Sequence, residues 1–404
     1  MISDAGFLTF TLTHEFMNRS ILLLSNAYPD FPSSYRGRFI KNMAEALQNA
    51  GYAVSVVTPK IYRQSPRMED DEGINVFRFP FGAGNKLLIE HEKIPYVRMT
   101  LYFITGCLTT TYVILKHRCN LIHVHWAIPT GLIGVLISAL LGRPLVVTVH
   151  GSDFAMANGR SSLLRKLFVL VCQRANHVTV VSEGMRKGME DMGIDRKKIT
   201  VSPMGVDERF FAVGLKKRSE DGRGRCIVLS NRNLEPLYNV VHLIRAIPAA
   251  LKEEPETTFL IAGEGKERAR LENEAVRLNL TSHIQFLGRL PHEEMPEVLA
   301  RTDVYVSTSL SDGTSVSLLE AMAAGVLPVV TDIPANREWI REGENGFLVV
   351  PDDEVGLARK IVAAIRETDF FLPARKANRE LVAKKARVSH TITDLLSMYE
   401  GLAV

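Results

Sequence analysis

The chain has 404 residues, of which 46% are hydrophobic and 23% charged, and its net charge is +4. That composition excludes a disordered polymer, and the length exceeds one ordinary core, so two domains of roughly 150–200 residues each are expected. Four cysteines, Cys107, Cys119, Cys172 and Cys226, lie far apart with no CxxC pair; this argues against a disulfide framework or a cysteine zinc site and fits a reducing cytoplasm.

Residues 1–17 read as an appendage. They lack the basic start, continuous apolar core and small-residue cleavage site of a secretory signal, and Met17 is a second candidate initiator. From Ser20 onward, short β-rich runs alternate with longer helical ones. Strands are expected at 20–25, 53–59, 74–80, 121–126, 144–151, 177–182 and 199–205. A second set follows at 226–231, 258–263, 284–288, 304–308, 327–331 and 346–350. Several are unbroken apolar runs, as in parallel strands covered by helices on both faces. The alternation predicts α/β architecture with two doubly wound, Rossmann-like domains.

Residues 99–115 carry no charge and stand at the lower limit for a membrane span. Their threonines and glycine favour a buried helix of an α/β domain, and residues 129–142 read as a shorter core helix. The first domain is placed at 18–212, a polar linker at 213–225 and the second domain at 226–372. Residues 373–404 form a last helix that lies across the seam or returns to the first domain. Two open sheets facing each other across a hinge would hold ligand in a cleft at the carboxyl ends of their strands.

Charge is unevenly placed. Residues 1–205 hold 23 Lys+Arg and 15 Asp+Glu, a net of +8, while the remainder holds 26 and 30, a net of −4. A basic first half suits an anionic surface or substrate, with solvated helix faces as the ordinary alternative. No basic stripe interleaved with aromatics is present, so no nucleic-acid partner is expected.

The stretch "SDGTSVSLLEAMAAG", Ser311–Gly325, follows a strand and opens a helix. Amides around Thr314–Ser317 would point outward unpaired, a ready site for phosphate or diphosphate. The ordinary alternative is a capping box with Ser317 as N-cap and Glu320 three residues later. Capping alone does not call for Asp312-Gly313 and small residues through the turn.

This segment resembles the acidic-x7-Glu signature of the family-4 retaining glycosyltransferases, GT-B enzymes with two facing Rossmann-like domains and nucleotide-sugar donors. The resemblance implies that Glu320 grips the ribose hydroxyls and Asp312 the sugar. It also implies that the backbone of Gly313, Thr314, Ser315 and Val316 holds the diphosphate. Asp312 stands where the family usually has Glu, and Gly-Thr follows it instead of Gly-Phe or Ser-Phe; the shorter arm bears on sugar selection.

Further segments from about Ile21 to about residue 365 resemble the same family. "NAYPDFPSSYRGRFIKNMAEAL" matches its first loop, with Gly37 at a donor-contacting position and Arg36 where a second glycine is usual. "IHVHWAIPTG" and "VVTVHGSDF" match segments lining the acceptor side. The resemblance puts His150 near the reacting sugar, as a catalytic residue with Arg232 and Asp312, and Arg36, Arg38, His125 and Asp153 on the acceptor side. In "SNRNLEPLY" Arg232 matches a diphosphate-binding arginine, but Tyr238 stands where the family commonly has lysine. Lys266 or Arg268 would be candidates to supply the missing charge.

The loop at Gly263 and Gly265 also suggests dinucleotide binding, but the third glycine is replaced by Arg268 and no acid follows at the usual distance; the resemblance puts this loop near the nucleoside. His123 and His125 alternate along one strand in the manner of metal ligands, without a carboxylate or cysteine at ligand spacing. No metal or other cofactor is expected.

The expected function is retaining, metal-independent transfer of a sugar from a nucleotide-diphosphate donor to an acceptor hydroxyl in glycan, polysaccharide or glycolipid synthesis. The acceptor would be a glycan or lipid-linked molecule, and the enzyme cytoplasmic, with peripheral contact to anionic membrane at the inner face. Two alternatives stay open: a nucleotide-sugar epimerase of related architecture, and a catalytically silent nucleotide-sugar-binding protein, which Tyr238 keeps in view.

Overall fold

The computed structural model describes residues 19–31, 34, 36–85, 96–159, 161–214, 226–367 and 370–402. The appendage at 1–17 and most of the expected linker, 215–225, lie outside them.

The chain divides into two compact units, one up to Ser202 and again from Ile392, the other from Pro203 to Thr391. The boundary therefore precedes the expected linker. Its cause is apolar: Val206, Phe210 and Val213 pack with Leu318, Leu319 and Met322 in the core of the second unit.

The first unit carries an eight-stranded sheet in the order β3-β4-β2-β1-β5-β6-β7-β8. Its strands are β1 (Ser20–Ser25), β2 (Ala53–Lys60), β3 (Met68–Asp71), β4 (Ile74–Pro80), β5 (Leu121–His125), β6 (Leu145–Val149), β7 (His177–Val180) and β8 (Ile199–Val201). All pairs are parallel except β3 with β4. Strand β3 was not expected, because "MEDD" has neither apolar alternation nor β-branched residues; it is a hairpin edge, where charge blocks further pairing.

Helices α1 (Arg38–Asn49), α2 (Tyr96–His117), α3 (Thr130–Leu141), α4 (Gly151–Asn158), α5 (Ser162–Arg174) and α6 (Glu183–Asp191) connect these strands. Helix α2 corrects one expectation. It buries Tyr102, Gly106, Thr110, Val113 and Ile114 but leaves large apolar residues exposed along its other side. A helix layered on a sheet packs one stripe against it and leaves the opposite side uncovered. No helix among the described residues is long and apolar enough to cross a membrane.

The second unit has a six-stranded, wholly parallel sheet ordered β11-β10-β9-β12-β13-β14. Its strands are β9 (Ile227–Ser230), β10 (Thr258–Ala262), β11 (Ile284–Gly288), β12 (Val304–Ser307), β13 (Leu327–Thr331) and β14 (Phe347–Val349). Helix α7 (Glu208–Ala212) precedes it. Then come α8 (Val240–Glu253), α9 (Arg268–Arg277), α10 (Met295–Ala300), α11 (Val316–Ala323), α12 (Pro334–Arg337), α13 (Glu354–Arg366) and α14 (Leu372–Ala386). The last helix, α15 (Val388–Gly401), contains the second division between the units.

In each sheet the winding reverses once, between β1 and β5 in the first and between β9 and β12 in the second. At such a switch point the loops leaving adjacent carboxyl ends diverge and open a crevice for ligand.

Candidate active site

In the second unit, Arg232 follows β9 and Asp312 and Ser315 follow β12, so the switch point brings residues eighty positions apart together. Arg232 is 8% exposed. One of its terminal nitrogens donates to Ser315 Oγ at 2.7 Å and the other to Asp312 Oδ2. Its Nε is buried with no hydrogen-bond partner, one donor still to be satisfied. Burial works against its charge, but the Asp312 carboxylate and the phenols of Tyr305 and Tyr238 outweigh that and raise its pKa. This guanidinium stays charged.

Two glycines hold the arginine in place. Gly263 has φ +144, and a Cβ there would fall 2.1 Å from the Arg232 carbonyl oxygen. A Cβ on Gly265 would fall 2.3 Å from the Leu234 carbonyl oxygen. Leu234 N–H donates to the Glu264 carbonyl at 2.9 Å, locking the two crossovers together. These glycines therefore serve close packing behind Arg232.

Tyr238 is accounted for in the same way. The Arg232 guanidinium stacks on its ring at 4.5 Å, so the residue replacing the usual lysine steadies the remaining cation. The expected substitutes are engaged elsewhere. Lys266 Nζ lies 2.9 Å from Glu235 Oε2, and Arg268 bonds Glu264 and Glu272. Neither supplies a second charge at Arg232.

Helix α11 opens on this cluster. Its N-cap is Ser315, whose Oγ accepts from Leu318 N–H at 3.3 Å; Ser317 lies inside the helix and bonds the Asn231 carbonyl. The capping box at Ser317, the ordinary alternative, is thus not formed; the cap lies two residues earlier. Gly313 N–H donates to Asp312 Oδ1 at 3.0 Å, and Thr314 Oγ1 to the Gly313 carbonyl, so the turn is stiff. Beyond it, the first helical amides, from Val316 on, lack partners within the helix and carry its positive end.

Glu320, on the same helix, is nearly buried and takes a partner that sequence reading missed. Its Oε1 lies 2.7 Å from His292 Nε2. Burial alone would lower the His292 pKa, but the hydrogen bond and charge of Glu320 raise it. The His292 ring also packs on Phe210, 5.2 Å between centroids.

In the first unit His150 caps α4 at the end of β6. Its Nε2 lies 3.2 Å from His125 Nδ1, and its ring contacts Phe39 and Trp126. Burial pushes the His150 pKa down to about 3 and that of His125 well below the ordinary value, so both are neutral at physiological pH. Trp126 has φ +70, a conformation bulky residues rarely adopt, and its Nε1 donates to Ser152 Oγ at 3.1 Å. His123 is engaged on both nitrogens, by Tyr399 Oη at 2.5 Å and Thr148 Oγ1 at 2.7 Å. Among the described residues no group of histidines, cysteines and acids has the arrangement of a metal site.

Other residues expected on the acceptor side have structural partners. Asp153 is fully buried and accepts from Ala127 N–H at 2.7 Å, and burial raises its pKa to about 7. His125 is also fully buried. Arg36 pairs in two-pronged fashion with Asp30 and donates to the Asn26 carbonyl at 2.6 Å. Arg38 begins α1. Gly37 has φ +71, and a Cβ there would fall 2.4 Å from Ala27 C; its need is set by its own loop.

A family model described as "Glycosyl transferase 4-like domain" matches residues 37–205, and one described as "Glycosyl transferases group 1" matches residues 215–381. The chain belongs to this glycosyltransferase family. It is 26% identical to a phosphatidyl-myo-inositol mannosyltransferase of Mycolicibacterium smegmatis, over 84% of this chain and 82% of that one. It is 28% identical to a 2-deoxystreptamine glucosyltransferase of Streptomyces kanamyceticus, over 89% and 97%. Sucrose-phosphate synthase from Thermosynechococcus elongatus has the same fold, with a TM-score of 0.79 at 20% identity over 95% and 99%. This glycosyltransferase therefore has the GT-B fold and uses a nucleotide-sugar donor; epimerase and silent binding protein are not favoured.

Proposed function

We propose that the glycosyltransferase works with retention and without a resident metal, and that its acceptor is a lipid-linked or anionic glycan. The observation that carries the donor side is the cluster of Arg232, Ser315 and Asp312 at the β9–β12 switch point, at the positive end of α11. As the anomeric C–O bond breaks, the diphosphate gains charge, which Arg232 and the α11 amides are placed to stabilise. The acceptor oxygen bonds the anomeric carbon, and its proton passes to the departing phosphate. Glu320 is assigned to the ribose, with Asp312 holding Arg232 while reaching the sugar. His150 keeps its assignment to the sugar by family resemblance, as a neutral imidazole. One relative is named for phosphatidyl-myo-inositol, which supports the lipid-linked class.

A thermal-shift screen with UDP-, GDP- and ADP-sugars tests the donor assignment, since a ligand that binds only the native state raises Tm. One nucleotide class should stabilise the wild type, and Glu320→Ala should abolish that shift. Slow donor hydrolysis continuing at the wild-type rate in Glu320→Ala would remove the site assignment.

A further inference from the structure

We infer that the outer face of α2, α3 and α5 is a docking surface for an anionic phospholipid membrane. The inference rests on the lipid-linked reading above and gives it a location.

Helix α2 is apolar on both sides, with Tyr102, Val113 and Ile114 buried against the domain. Gly106 and Thr110 share that buried face, while Val97, Leu101, Ile104, Leu108, Tyr112 and Leu115 are exposed on the other. Those six recur at spacings of four and three, so they form one continuous stripe along the helix. Leu108 is 67% exposed and Val97 74%. Arg98 and Lys116, near opposite ends of the helix, lie on the same flank of that stripe, since the eighteen positions that separate them complete five turns.

The neighbouring helices extend the face. A Cβ at Gly106 would fall 2.6 Å from Ile133 of α3, and one at Gly131 of α3 would fall 2.7 Å from Val171 of α5. Small residues thus press the three helices into one layer. Helix α3 exposes Leu136 and Leu140, and α5 exposes Leu163 and Leu170. Scattered apolar residues need no explanation, but a contiguous group does.

Charge selects the occupant. From Tyr96 to Ser182 there are eight Lys and Arg (98, 116, 118, 143, 160, 165, 166, 174) and one acid, Asp153. That acid is fully buried. The face therefore offers cations around apolar side chains and no exposed carboxylate within this stretch. Apolar side chains entering the headgroup region while basic residues meet anionic lipid is the binding mode of interfacial helices. A second copy of the chain would present the same positive charge and repel.

The test uses the full chain with vesicles of phosphatidylglycerol and phosphatidylcholine in equal parts, or of phosphatidylcholine alone. The protein should co-sediment with the first, release at high salt, and bind the second weakly. Ile104→Glu/Leu108→Glu should lose sedimentation, and Lys116→Glu/Lys166→Glu should weaken it by about fivefold or more per residue reversed. Val276→Glu, an equally exposed apolar position in the second unit, should bind as the wild type does. Circular dichroism establishes that each variant is folded. Unchanged sedimentation of Ile104→Glu/Leu108→Glu, or equal binding to both vesicles, overturns the inference. So does a solution dimer that the same variant dissolves, which would identify a second copy as the occupant. The nucleotide-sugar thermal shift of the same protein separates the two readings. Lost docking with the shift retained removes the membrane surface alone, whereas a wild type that no nucleotide sugar shifts removes the functional reading.

Discussion

The guanidinium carbon of Arg232 lies 4.5 Å from the centre of the Tyr238 ring, and the same guanidinium reaches Ser315 and Asp312. Tyr238 is thus one wall of an arginine clamp. Tyr238→Phe keeps the aromatic face and should retain most activity. Tyr238→Leu should lower kcat/KM by the worth of a partly buried cation–π contact, about 0.5–2 kcal/mol. Restoring the family's lysine puts a second cation against Arg232 without the ring, so Tyr238→Lys should also lower kcat/KM; an increase would show that the missing charge limits catalysis.

Gly263→Ala tests how far Arg232 depends on the loop behind it. The new Cβ would meet the Arg232 carbonyl at 2.1 Å, in a backbone conformation that disfavours side chains. Stability should fall by roughly 1–3 kcal/mol. Activity should fall further than stability explains, because the displaced atom belongs to Arg232. Full kcat/KM in the folded fraction would show that the clamp tolerates the shift.

Acid and alkali should act on different histidines. His292 has a raised pKa, so the folded state binds its proton more tightly; its contribution is complete below about pH 6.5 and is lost as pH rises through the raised value. His123 and His150, pushed by burial to about 3, work in the opposite sense. Their contribution is complete above about pH 6.5 and is lost as pH falls toward 3. In melting temperatures followed against pH, His292→Gln should flatten the alkaline side only. A flattened acid side in that variant would contradict the assignment.

Asp153, raised to about 7, opposes those two histidines. The folded state binds its proton more tightly than the unfolded one, so stability falls as pH rises from about 4 to 7. Asp153→Asn keeps an acceptor for Ala127 N–H and has no carboxyl to ionise. Relative to wild type it should gain stability as pH rises through that range; a difference independent of pH would mean that Asp153 is ionised in its pocket.

Most of the framework was legible because parallel strands announce themselves as unbroken apolar runs: "SILLLS" and "TFLIA" have little else to be. Strand β3 was not, since "MEDD" forms only because β4 offers it an edge. The donor cluster was half legible. The run from Asp312 to Glu320 shows a strand-to-helix turn with acids at set positions, but nothing in it indicates that Arg232 binds Asp312. Nor does the spacing from His292 to Glu320 signal a pair, because a switch point joins residues through sheet order. Basic residues were the least legible. Arg36, Lys266 and Arg268 look available in the sequence, yet each finds a carboxylate in the fold: Arg36 and Arg268 within a few residues, Lys266 across the loop at Glu235.

Tyr399, near the end of the chain, is buried beside Tyr52 and bonds His123 in the first unit, where Leu395 shares the core of β1 and β2. Synthesis runs in the other direction. The ribosome finishes every strand of the first sheet long before it reaches these residues, so that sheet waits, with His123 lacking its phenol, until the second unit has emerged. The half of the enzyme made first is completed last.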